Sequence, residues 1–417
     1  KRYRQLLGNG PVGGKLYHVS HDIKTALKKT LLPDSSMFES MGFSYMGPVD
    51  GHDVEALTQS LQWAREQRCP VLLHVRTVKG KGYSPAEERP ADYHGVSPFD
   101  PVTGKPLRTA KMDFSHVFGQ ELTALAGEDG RVCAITAAMQ EGTGLTEFAR
   151  KYPDRLFDVG IAEGHAVSMA GGMAKQGLVP VFAVYSSFLQ RGYDQLLQDV
   201  ALDGLHVVLG VDRAGLVGAD GETHHGCFDA LYLSQVPHMT VLCPASFAEL
   251  RQMLRRAVLE LTGPVAVRYP RGGEGAYQDC CGNETFTQVR PGADCTILTY
   301  GVLINEALAA AELLHEAGVE TRVVKLNAIA PLDGNAVLAA LGSEKRLLVL
   351  EDCVGSGCVG QRLTAILAQR GRMPERLILK NLGDTIPCHG TVPQLYAQCG
   401  LDAASVAAAL KEACHEQ

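Results

Sequence analysis

The chain has 417 residues, of which 46% are hydrophobic and 20% are charged, and its formal net charge is −7. That length predicts two or three domains, and that composition excludes a disordered tail, a coiled coil and a collagen-like rod. Because acids outnumber bases, no long basic run occurs and no apolar stretch reaches ~18 residues, we expect neither a nucleic-acid partner nor a membrane span.

The twelve cysteines follow no recognisable pattern. They form no CxxC pair and no cluster with histidines at zinc spacing, so no metal site is predicted from them. The basic residues at the N-terminus are not followed by the apolar segment of a secretory signal. We therefore expect a cytoplasmic protein whose cysteines are reduced and lie mostly in the core.

The first region, residues 1–108, carries few signals of secondary structure. Asp53 is placed to cap a helix whose apolar residues recur about every 3.6 positions over 54–64, and the apolar run 71–75 predicts a buried strand. The many Gly and Pro residues of 79–108 predict a linker or a long loop. One helix and one strand cannot bury a core, and Lys1 is not an initiator methionine. We therefore expect this region to be the tail of a domain that began earlier.

The second region, residues 109–280, alternates short apolar runs with helical patterns. Strands are predicted at 132–135, 156–159, 181–184, 207–211 and 240–242, and helices at 164–176 and 190–201. Apolar strands that alternate with amphipathic helices form parallel sheets covered on both faces. This region is therefore predicted to be a complete α/β domain.

The third region, residues 281–417, repeats that alternation. Strands are predicted at 296–300, 323–326 and 347–350, and a helix at 304–316 with Gly318 as its C-cap. The Gly-rich, polar stretch 272–290 is predicted to be the boundary between the second and third regions. The predicted fold class is therefore α/β, with parallel sheets flanked by helices in both regions.

The stretch DVGIAEGHAV at 158–167 is the first along the chain that contains a candidate site residue. A predicted strand ends here and a helix begins, which places Glu163 at the carboxyl edge of the sheet, where open α/β sheets bind ligands. The alternative is a carboxylate that only interacts with the helix dipole.

The stretch YSSFLQRGYD at 185–194 also follows a predicted strand. Its aromatic residues suit a ligand-binding edge, but they would equally suit the core, and Arg191 would suit a solvated helix surface. The stretch VRYPRGG at 267–273 places Arg271 between a proline and two glycines after another strand. A rigid guanidinium there suits a phosphate or a carboxylate, and the alternative is an ordinary surface arginine.

The loop DRAGLVGADGETHHG at 212–226 is rich in glycine and in ionisable side chains. Glycines let the backbone approach a ligand closely, and a histidine can serve as an acid or a base. The adjacent His224 and His225 are poorly placed to bind one metal ion, and no third ligand is suitably spaced. This loop is therefore predicted to belong to a site, although a purely structural loop is the alternative.

Together, these four stretches resemble the 1-deoxy-D-xylulose-5-phosphate synthases, a thiamine-diphosphate-dependent family of the transketolase superfamily. The run MFESMGFSYMGPVDGHD at 37–53 also resembles that family and is not typical of ordinary transketolases. The stretches 78–83 and 93–96 resemble it as well, and the resemblance extends from about residue 15 to the C-terminus.

The resemblance implies a transketolase-like fold in three parts. Residues 1–108 would be the remnant of a pyrophosphate-binding domain, 109–280 a complete pyrimidine-binding domain, and 281–417 a transketolase-type C-terminal domain. The implied activity is the condensation of pyruvate with D-glyceraldehyde 3-phosphate to 1-deoxy-D-xylulose 5-phosphate and CO₂, by a homodimer that carries thiamine diphosphate and Mg²⁺. The product would feed isoprenoid and thiamine biosynthesis.

The resemblance also implies roles for individual residues. Glu163 resembles the catalytic glutamate that bonds N1′ of the cofactor's aminopyrimidine ring, and Phe188 and Tyr83 resemble residues that contact the cofactor. His224 and Asp220 are similar to polar catalytic residues beside the reacting carbon. The residues implied in substrate binding are Tyr185, Arg213 and Arg271 at the aldehyde's phosphate, Lys79 and His94 at the mouth of the site, and Arg191.

The chain departs from the family pattern in two respects. Gly164 stands where the family has glutamine. The Gly-Asp-Gly segment and the later asparagine that hold Mg²⁺ and the diphosphate are not found at their places. The resemblance therefore implies that the metal ligands belong to an N-terminal part outside this chain, and that the chain alone is inactive. Two other interpretations remain open, namely a subunit of another split transketolase-type enzyme and a non-catalytic half-module.

Overall fold

The computed structural model describes residues 36–90, 92–96, 98–107, 111–282, 284–342 and 345–415. The chain divides into two compact units, Lys1–Ala110 and Lys111–Gln417. Among the helices that the structure describes, none combines the length and the apolar character needed to cross a membrane.

In the first unit, the described residues form a small parallel strand pair with flanking helices. Its elements are α1 (Ser36–Ser40), β1 (Ser44–Asp50), α2 (Val54–Glu66), β2 (Val71–Arg76) and α3 (Ser84–Glu88). Asp53 accepts a hydrogen bond from the amide of Ala56 and so caps α2, which confirms the predicted helix, and β2 confirms the predicted strand. Strand β1 was not predicted, because Gly and Pro interrupt its short sequence. The loop prediction for 79–108 is wrong at α3, where Pro85 fits the first turn of a short helix.

The second unit begins with a seven-stranded sheet whose strand order is β12-β7-β8-β6-β5-β3-β4. The strands are β3 (Val132–Thr136), β4 (Leu156–Asp158), β5 (Val179–Tyr185), β6 (Val208–Asp212), β7 (Thr240–Leu242), β8 (Val265–Arg268) and β12 (Ala328–Ala330). All pairs are parallel except that of β12 with β7. The five strands predicted between residues 132 and 242 are therefore confirmed, and β8 and β12 are additional.

The helices of this part surround the sheet. They are α4 (Phe114–Glu128), α5 (Thr146–Lys151), α6 (Glu163–Lys175), α7 (Ser186–Leu189), α8 (Tyr193–Gln195), α9 (Asp229–Gln235) and α10 (Phe247–Leu259). The predicted helix 164–176 is confirmed by α6. The continuous helix predicted over 190–201 is wrong, because the chain passes there through a 3₁₀ turn, the short α8 and a π-helical segment, Leu196–Ala201. Gly192 lies in this irregular stretch, and a Cβ there would come within 2.9 Å of Val167, so the close approach of α6 restricts the backbone.

A five-stranded sheet follows, with the strand order β14-β13-β10-β11-β9. Its strands are β9 (Phe286–Arg290), β10 (Cys295–Tyr300), β11 (Thr321–Leu326), β13 (Arg346–Leu350) and β14 (Arg376–Lys380), and its helices are α11 (Ile304–Glu316), α12 (Gly334–Leu341), α13 (Val359–Gln369), α14 (Val392–Cys399) and α15 (Ala403–His415). The three predicted strands and the predicted helix are confirmed. Helix α11 has Ala317 as its C-cap, one position before the predicted Gly318, and Gly318 follows with φ +82°.

The alternation of apolar strands and helices produces a dry interior in the second unit. Strands β3, β6 and β8 are buried at every position, as expected for parallel strands covered on both faces. Seven of the twelve cysteines are buried and none forms a disulfide, in agreement with their prediction as core residues. The carboxyl ends of β5, β6 and β8 lie side by side, since Tyr185 is in register with Asp212 and Val211 with Arg268. This edge of the sheet carries the candidate site.

Candidate active site

Glu163 is the first residue of α6, five positions after β4 ends at Asp158. Its side chain is only 3% exposed, and its Oε1 accepts a hydrogen bond from Nη1 of Arg191 at 2.5 Å. The helix is entered through Ala162, and no side-chain cap bond is formed there. Glu163 is therefore a buried carboxylate with one charged partner at the sheet edge. The alternative interpretation, in which this carboxylate interacts only with the helix dipole, does not account for the hydrogen bond from Arg191.

Arg191 connects the buried carboxylate to the neighbouring aromatic ring. Its guanidinium lies 4.9 Å from the centre of the Phe188 ring while it donates to Glu163, and its side chain is 55% exposed. The sequence suggested Arg191 as a substrate-binding residue without a specific contact. The structure gives it a contact with two residues expected at the cofactor, and this contact links segments 28 positions apart.

Phe188 lies at the centre of a half-buried aromatic group. Its ring stacks on Tyr185 at 5.5 Å and meets the imidazole of His224 edge-on at 5.3 Å. The Tyr185 and Phe188 rings also pack against the main apolar core. The two alternatives left open by the sequence, core residues and site residues, therefore each describe part of the environment of these rings. His224 is half-buried at this group, and its Nδ1 lies 2.9 Å from the hydroxyl of Thr223.

Arg213 and Arg271 come together on either side of Asp220. The Asp220 carboxylate lies 3.9 Å from Nε of Arg213 and 3.3 Å from Nε of Arg271. Arg271 also donates to the carbonyl of Val217 at 3.2 Å, and its side chain is 42% exposed. Arg271 therefore has fixed partners and is not a freely solvated surface arginine.

Next to these arginines is a cavity of about 410 Å³. Its lining residues are Asp113, Ser115, His116, Glu141, Gly142, Arg213, Val217, Arg271, Gly272 and Val392. Two guanidinium groups at one cavity suit an anion with several oxygens, such as a phosphate ester.

Asp212 was missed in the sequence analysis, although it ends the apolar run that forms β6. Its carboxylate is fully buried and accepts a hydrogen bond from the hydroxyl of Ser115 at 2.7 Å. Its other oxygen lies 3.2 Å from Nη1 of Arg213. Burial raises the pKa of Asp212 to about 6, and the Arg213 guanidinium acts in the opposite direction.

The loop 212–226 is held by residues from the third region of the chain. Nδ1 of the buried His225 accepts a hydrogen bond from the amide of Val217, and Nε2 lies 3.4 Å from the carbonyl of Cys388. The two adjacent histidines therefore differ, since His224 meets the aromatic group and His225 fixes the backbone. A Cβ at Gly215, whose φ is +74°, would collide with Oδ2 of Asp352.

The same aspartate belongs to a buried charged triad between the two sheets. Arg268, at the end of β8, donates from Nε to both carboxylate oxygens of Asp229 at 2.9 Å and from Nη2 to Asp352 at 3.1 Å. The three side chains are at most 4% exposed. No local pattern predicted this triad, because Arg268 and Asp352 lie 84 positions apart.

Lys79, Tyr83 and His94 are the predicted site residues of the first unit. Lys79 and His94 are exposed, whereas Tyr83 is half-buried and packs edge-on against Tyr93 at 5.6 Å and against Phe99 at 6.0 Å. These contacts are within the first unit. The other eight predicted site residues lie in the second unit, and they are the ones that the structure brings together.

The residues around Glu163 fit an aminopyrimidine ring. The structure offers a buried carboxylate, the half-buried Phe188 ring and, beside Gly164, Oε1 of Gln195, which is buried and has no hydrogen-bond partner among the described residues. Oγ of Ser186 and Oγ of Ser187, in the short helix α7 that contains Phe188, are also buried without such a partner. A ring with nitrogen donors and acceptors would satisfy groups that are otherwise costly to bury.

Gly164 leaves room beside one of these atoms. A Cβ at this position would lie 3.2 Å from Oε1 of Gln195 and 3.5 Å from the carbonyl of Arg191. A side chain at position 164 would therefore contact Gln195 first. Glu163 is buried although position 164 has no side chain. In the described part of the chain, no group of three or more His, Cys, Asp or Glu residues is arranged to hold a metal ion.

Three family models match successive parts of the chain. The 1-deoxy-D-xylulose-5-phosphate synthase model matches residues 1–77, the transketolase pyrimidine-binding domain matches 110–273, and the transketolase C-terminal domain matches 285–406. Among solved structures, a split-gene transketolase described as an inactive beta4 tetramer is similar with a TM-score of 0.64 and 25% identity, over 72% of this chain and 97% of that one. A Pichia stipitis transketolase has a TM-score of 0.62 at 14% identity, over 73% of this chain and 46% of that one, which shows the fold alone. The fold and the sheet-edge site thus define a transketolase-type α/β protein.

Curated relatives narrow this class. The chain is 42% identical to 1-deoxy-D-xylulose-5-phosphate synthase of Pelotomaculum thermopropionicum over 98% of its own length and 65% of the relative's. It is 44% identical to that of Desulforudis audaxviator, over 91% of this chain and 60% of that protein. It is 42% identical to that of Syntrophotalea carbinolica, over 100% of this chain and 66% of that protein. The chain belongs to the 1-deoxy-D-xylulose-5-phosphate synthase family and spans between 60% and 66% of the length of these relatives.

Proposed function

We propose that this chain supplies the pyrimidine-binding and acceptor-binding side of a thiamine-diphosphate-dependent synthase. The reaction is the condensation of pyruvate with D-glyceraldehyde 3-phosphate to 1-deoxy-D-xylulose 5-phosphate and CO₂. The observation that carries the proposal is the arrangement at one sheet edge of a buried Glu163, the Phe188 ring and the arginine pair Arg213 and Arg271. Family membership supports the choice of this reaction over others of the superfamily.

The residues of this chain have separate roles in the proposed reaction. When bound, thiamine diphosphate supplies the carbon nucleophile and the electron sink that a 2-oxo acid needs to lose CO₂. Glu163 holds a proton at N1′ of the aminopyrimidine ring, and Phe188 provides the face on which that ring stacks. Arg191 holds the Glu163 carboxylate in place through its charge-assisted hydrogen bond.

The acceptor is positioned by its phosphate, at a distance from the reacting atoms. Arg213 and Arg271 bind the phosphate, and Tyr185 lies under the Arg213 guanidinium at 3.7 Å and restricts it. His224 lies against the Phe188 ring and Asp220 lies against the two arginines, and these polar groups are proposed to exchange a proton with the aldehyde oxygen. Binding energy from the remote phosphate then orients the aldehyde for attack.

The remaining predictions belong to the complete assembly. Lys79, Tyr83 and His94 are proposed to line the mouth of the site and to contact the cofactor. Mg²⁺ is proposed to be held by residues outside this chain, in a cytoplasmic homodimer. Glu163 and Phe188 offer one hydrogen bond and one ring contact, together about 1–3 kcal/mol, which corresponds to millimolar affinity or weaker. We therefore expect the 417-residue polypeptide alone to be inactive.

A second candidate function has an observation in its favour. The chain covers 97% of the split-gene transketolase subunit and is 25% identical to it. This likeness supports a subunit that completes a transketolase-type site with a separate partner chain. The family match of residues 1–77 favours the first candidate.

Substrate choice tests the proposal. The protein as its gene encodes it would be supplied with thiamine diphosphate and Mg²⁺, and CO₂ release from pyruvate would be measured with and without D-glyceraldehyde 3-phosphate. Formation of 1-deoxy-D-xylulose 5-phosphate supports the proposal, with Glu163→Gln as the inactive control. Turnover of a ketose phosphate donor in place of pyruvate would favour the second candidate and overturn the first.

A further inference from the structure

Asp212 is a buried acid that the proposed mechanism does not use. It lies at the carboxyl end of β6, with the candidate phosphate-binding Arg213 immediately after it. One carboxylate oxygen is bound by Ser115, and the other has no hydrogen bond among the described residues but lies 3.2 Å from Nη1 of Arg213. Burial of a carboxylate costs desolvation free energy, so a buried carboxylate beside a cavity suggests a role that offsets this cost.

Arg213 needs such support because its backbone is unusual. Its φ is +59°, in the left-handed region that is unfavourable for residues other than glycine. Its guanidinium donates to the carbonyl of Gly142 at 2.9 Å and lies over the Tyr185 ring at 3.7 Å. Its Nε is buried and has no hydrogen-bond partner within the described part of the chain. Nη1 is thus fixed by Gly142 and Asp212, while Nε faces the Asp220 carboxylate at 3.9 Å.

We propose that Asp212 is a positioning residue, which fixes the Arg213 guanidinium at the cavity where the phosphate of the acceptor binds. This inference rests on the proposed function for the identity of the acceptor. Ser115 supports Asp212 from the first turn of α4 and also lines the cavity. The charged or titratable groups that face Asp212 are Arg213, Asp113 before α4, Tyr185 at the end of β5 and Tyr269 after β8.

The sign of one substitution separates positioning from simple electrostatics. If only the charge of Asp212 mattered, Asp212→Asn would remove a repulsive neighbour and tighten the binding of a phosphate. If Asp212 positions Arg213, the same substitution weakens phosphate binding, because a neutral amide no longer fixes the guanidinium. Asp113→Asn is the matched control. It removes a carboxylate from the same cavity, keeps a residue suited to cap α4, and leaves the Asp212–Arg213 contact intact.

The test is an equilibrium titration that needs no turnover. Glycerol 3-phosphate, with glycerol as the uncharged control, would be titrated by calorimetry into the protein as its gene encodes it, loaded with thiamine diphosphate and Mg²⁺. We expect Asp212→Asn to weaken glycerol 3-phosphate binding about five- to twentyfold, which is less than the loss of a whole charge-assisted hydrogen bond because Arg213 itself is retained. Asp113→Asn should bind it as tightly as the unmodified protein or more tightly. In an Arg213→Met background, Asp212→Asn should add less than about twofold, because its effect acts through Arg213.

Steady-state kinetics give the second readout. Asp212→Asn should raise KM for D-glyceraldehyde 3-phosphate and leave KM for pyruvate nearly unchanged, which general damage to the fold would not do. If Asp212→Asn fails to fold, Ser115→Ala takes its place, with a weakening of about two- to threefold expected in the same titration.

Unchanged or tighter phosphate binding in Asp212→Asn would overturn the inference, as would an equal loss in the Arg213→Met background. Failure of the unmodified protein to release CO₂ from pyruvate would instead contradict the proposed function. The glycerol 3-phosphate titration would still decide the role of Asp212 in that case.

Discussion

Replacing Arg268 with methionine should destabilise the second unit strongly. The substitution keeps a long side chain of similar volume but removes the charge shared by Asp229 and Asp352. Asp229 is fully buried and Asp352 is 3% exposed, so two carboxylates would lose their cation in a dry environment. Removal of one partner from a buried ionic group costs about 3–5 kcal/mol. At about 2–4 °C per kcal/mol for a large domain, the unfolding midpoint should fall by roughly 10 °C.

The loss should depend on pH in a defined direction. Burial already raises the pKa of Asp229 above its ordinary 3.8, against the pull of Arg268, and removing the arginine raises it further. A carboxyl whose pKa is raised in the folded state adds stability below its unfolded pKa, and this stability is lost as the pH rises through the folded pKa. The deficit of Arg268→Met should therefore be small near pH 4 and full at pH 8.

Thermal unfolding of the variant and the unmodified protein across that pH range measures both effects. Arg255→Met is the matched control, since Arg255 also bridges two carboxylates, Glu121 and Glu128, but its side chain is 40% exposed. Its loss should be much smaller and should not grow from pH 4 to pH 8 in the same way. A deficit for Arg268→Met no larger than that for Arg255→Met would refute the reasoning from burial.

Three further predictions concern the site. Glu163→Gln should abolish hydrogen–deuterium exchange at C2 of the bound cofactor with little change in the unfolding midpoint, and exchange as fast as in the unmodified protein would contradict the assignment. Arg271→Ala should raise KM for D-glyceraldehyde 3-phosphate about ten- to a hundredfold but hardly change that for unphosphorylated glyceraldehyde, and equal damage to both would argue against phosphate binding. The ratio of glycerol 3-phosphate affinities between the unmodified protein and Asp212→Asn should be largest above pH 7, and it should approach one as Asp212, whose pKa is about 6, becomes protonated. Because the ligand titrates equally in both measurements, its own protonation cancels in the ratio. A ratio that does not change with pH would therefore exclude this role of Asp212.

The sequence predicted those features that depend on neighbouring residues. Apolar runs located strands β3 to β7 because strands buried on both faces are continuously hydrophobic. The position of Glu163 followed from the strand end and the helix start around it. The resemblance then grouped Glu163, Phe188 and the two arginines into one expected site, and the structure places these four side chains at one sheet edge.

Contacts between distant segments were not predictable in this way. The residue pairs Ser115–Asp212 and Arg268–Asp352 are 97 and 84 positions apart, and no periodicity or spacing encodes them. The break in the helix over 190–201 has a similar origin. Its composition suits a regular helix, and the irregular turns form where Gly192 meets α6 in the folded chain.

The loop 212–226 shows how the two kinds of information combine. Its own sequence supplies the chemical groups, with Arg213 for an anion and His224 beside the aromatic ring. Its conformation costs energy, since Arg213 has a positive φ, and such a backbone persists only when its surroundings impose it. Those surroundings come from elsewhere: Asp352 lies against Gly215, and the carbonyl of Cys388 contacts His225. The five-stranded sheet and its loops therefore do more than add buried area, because they hold the loop that presents the arginine and the histidine to the site.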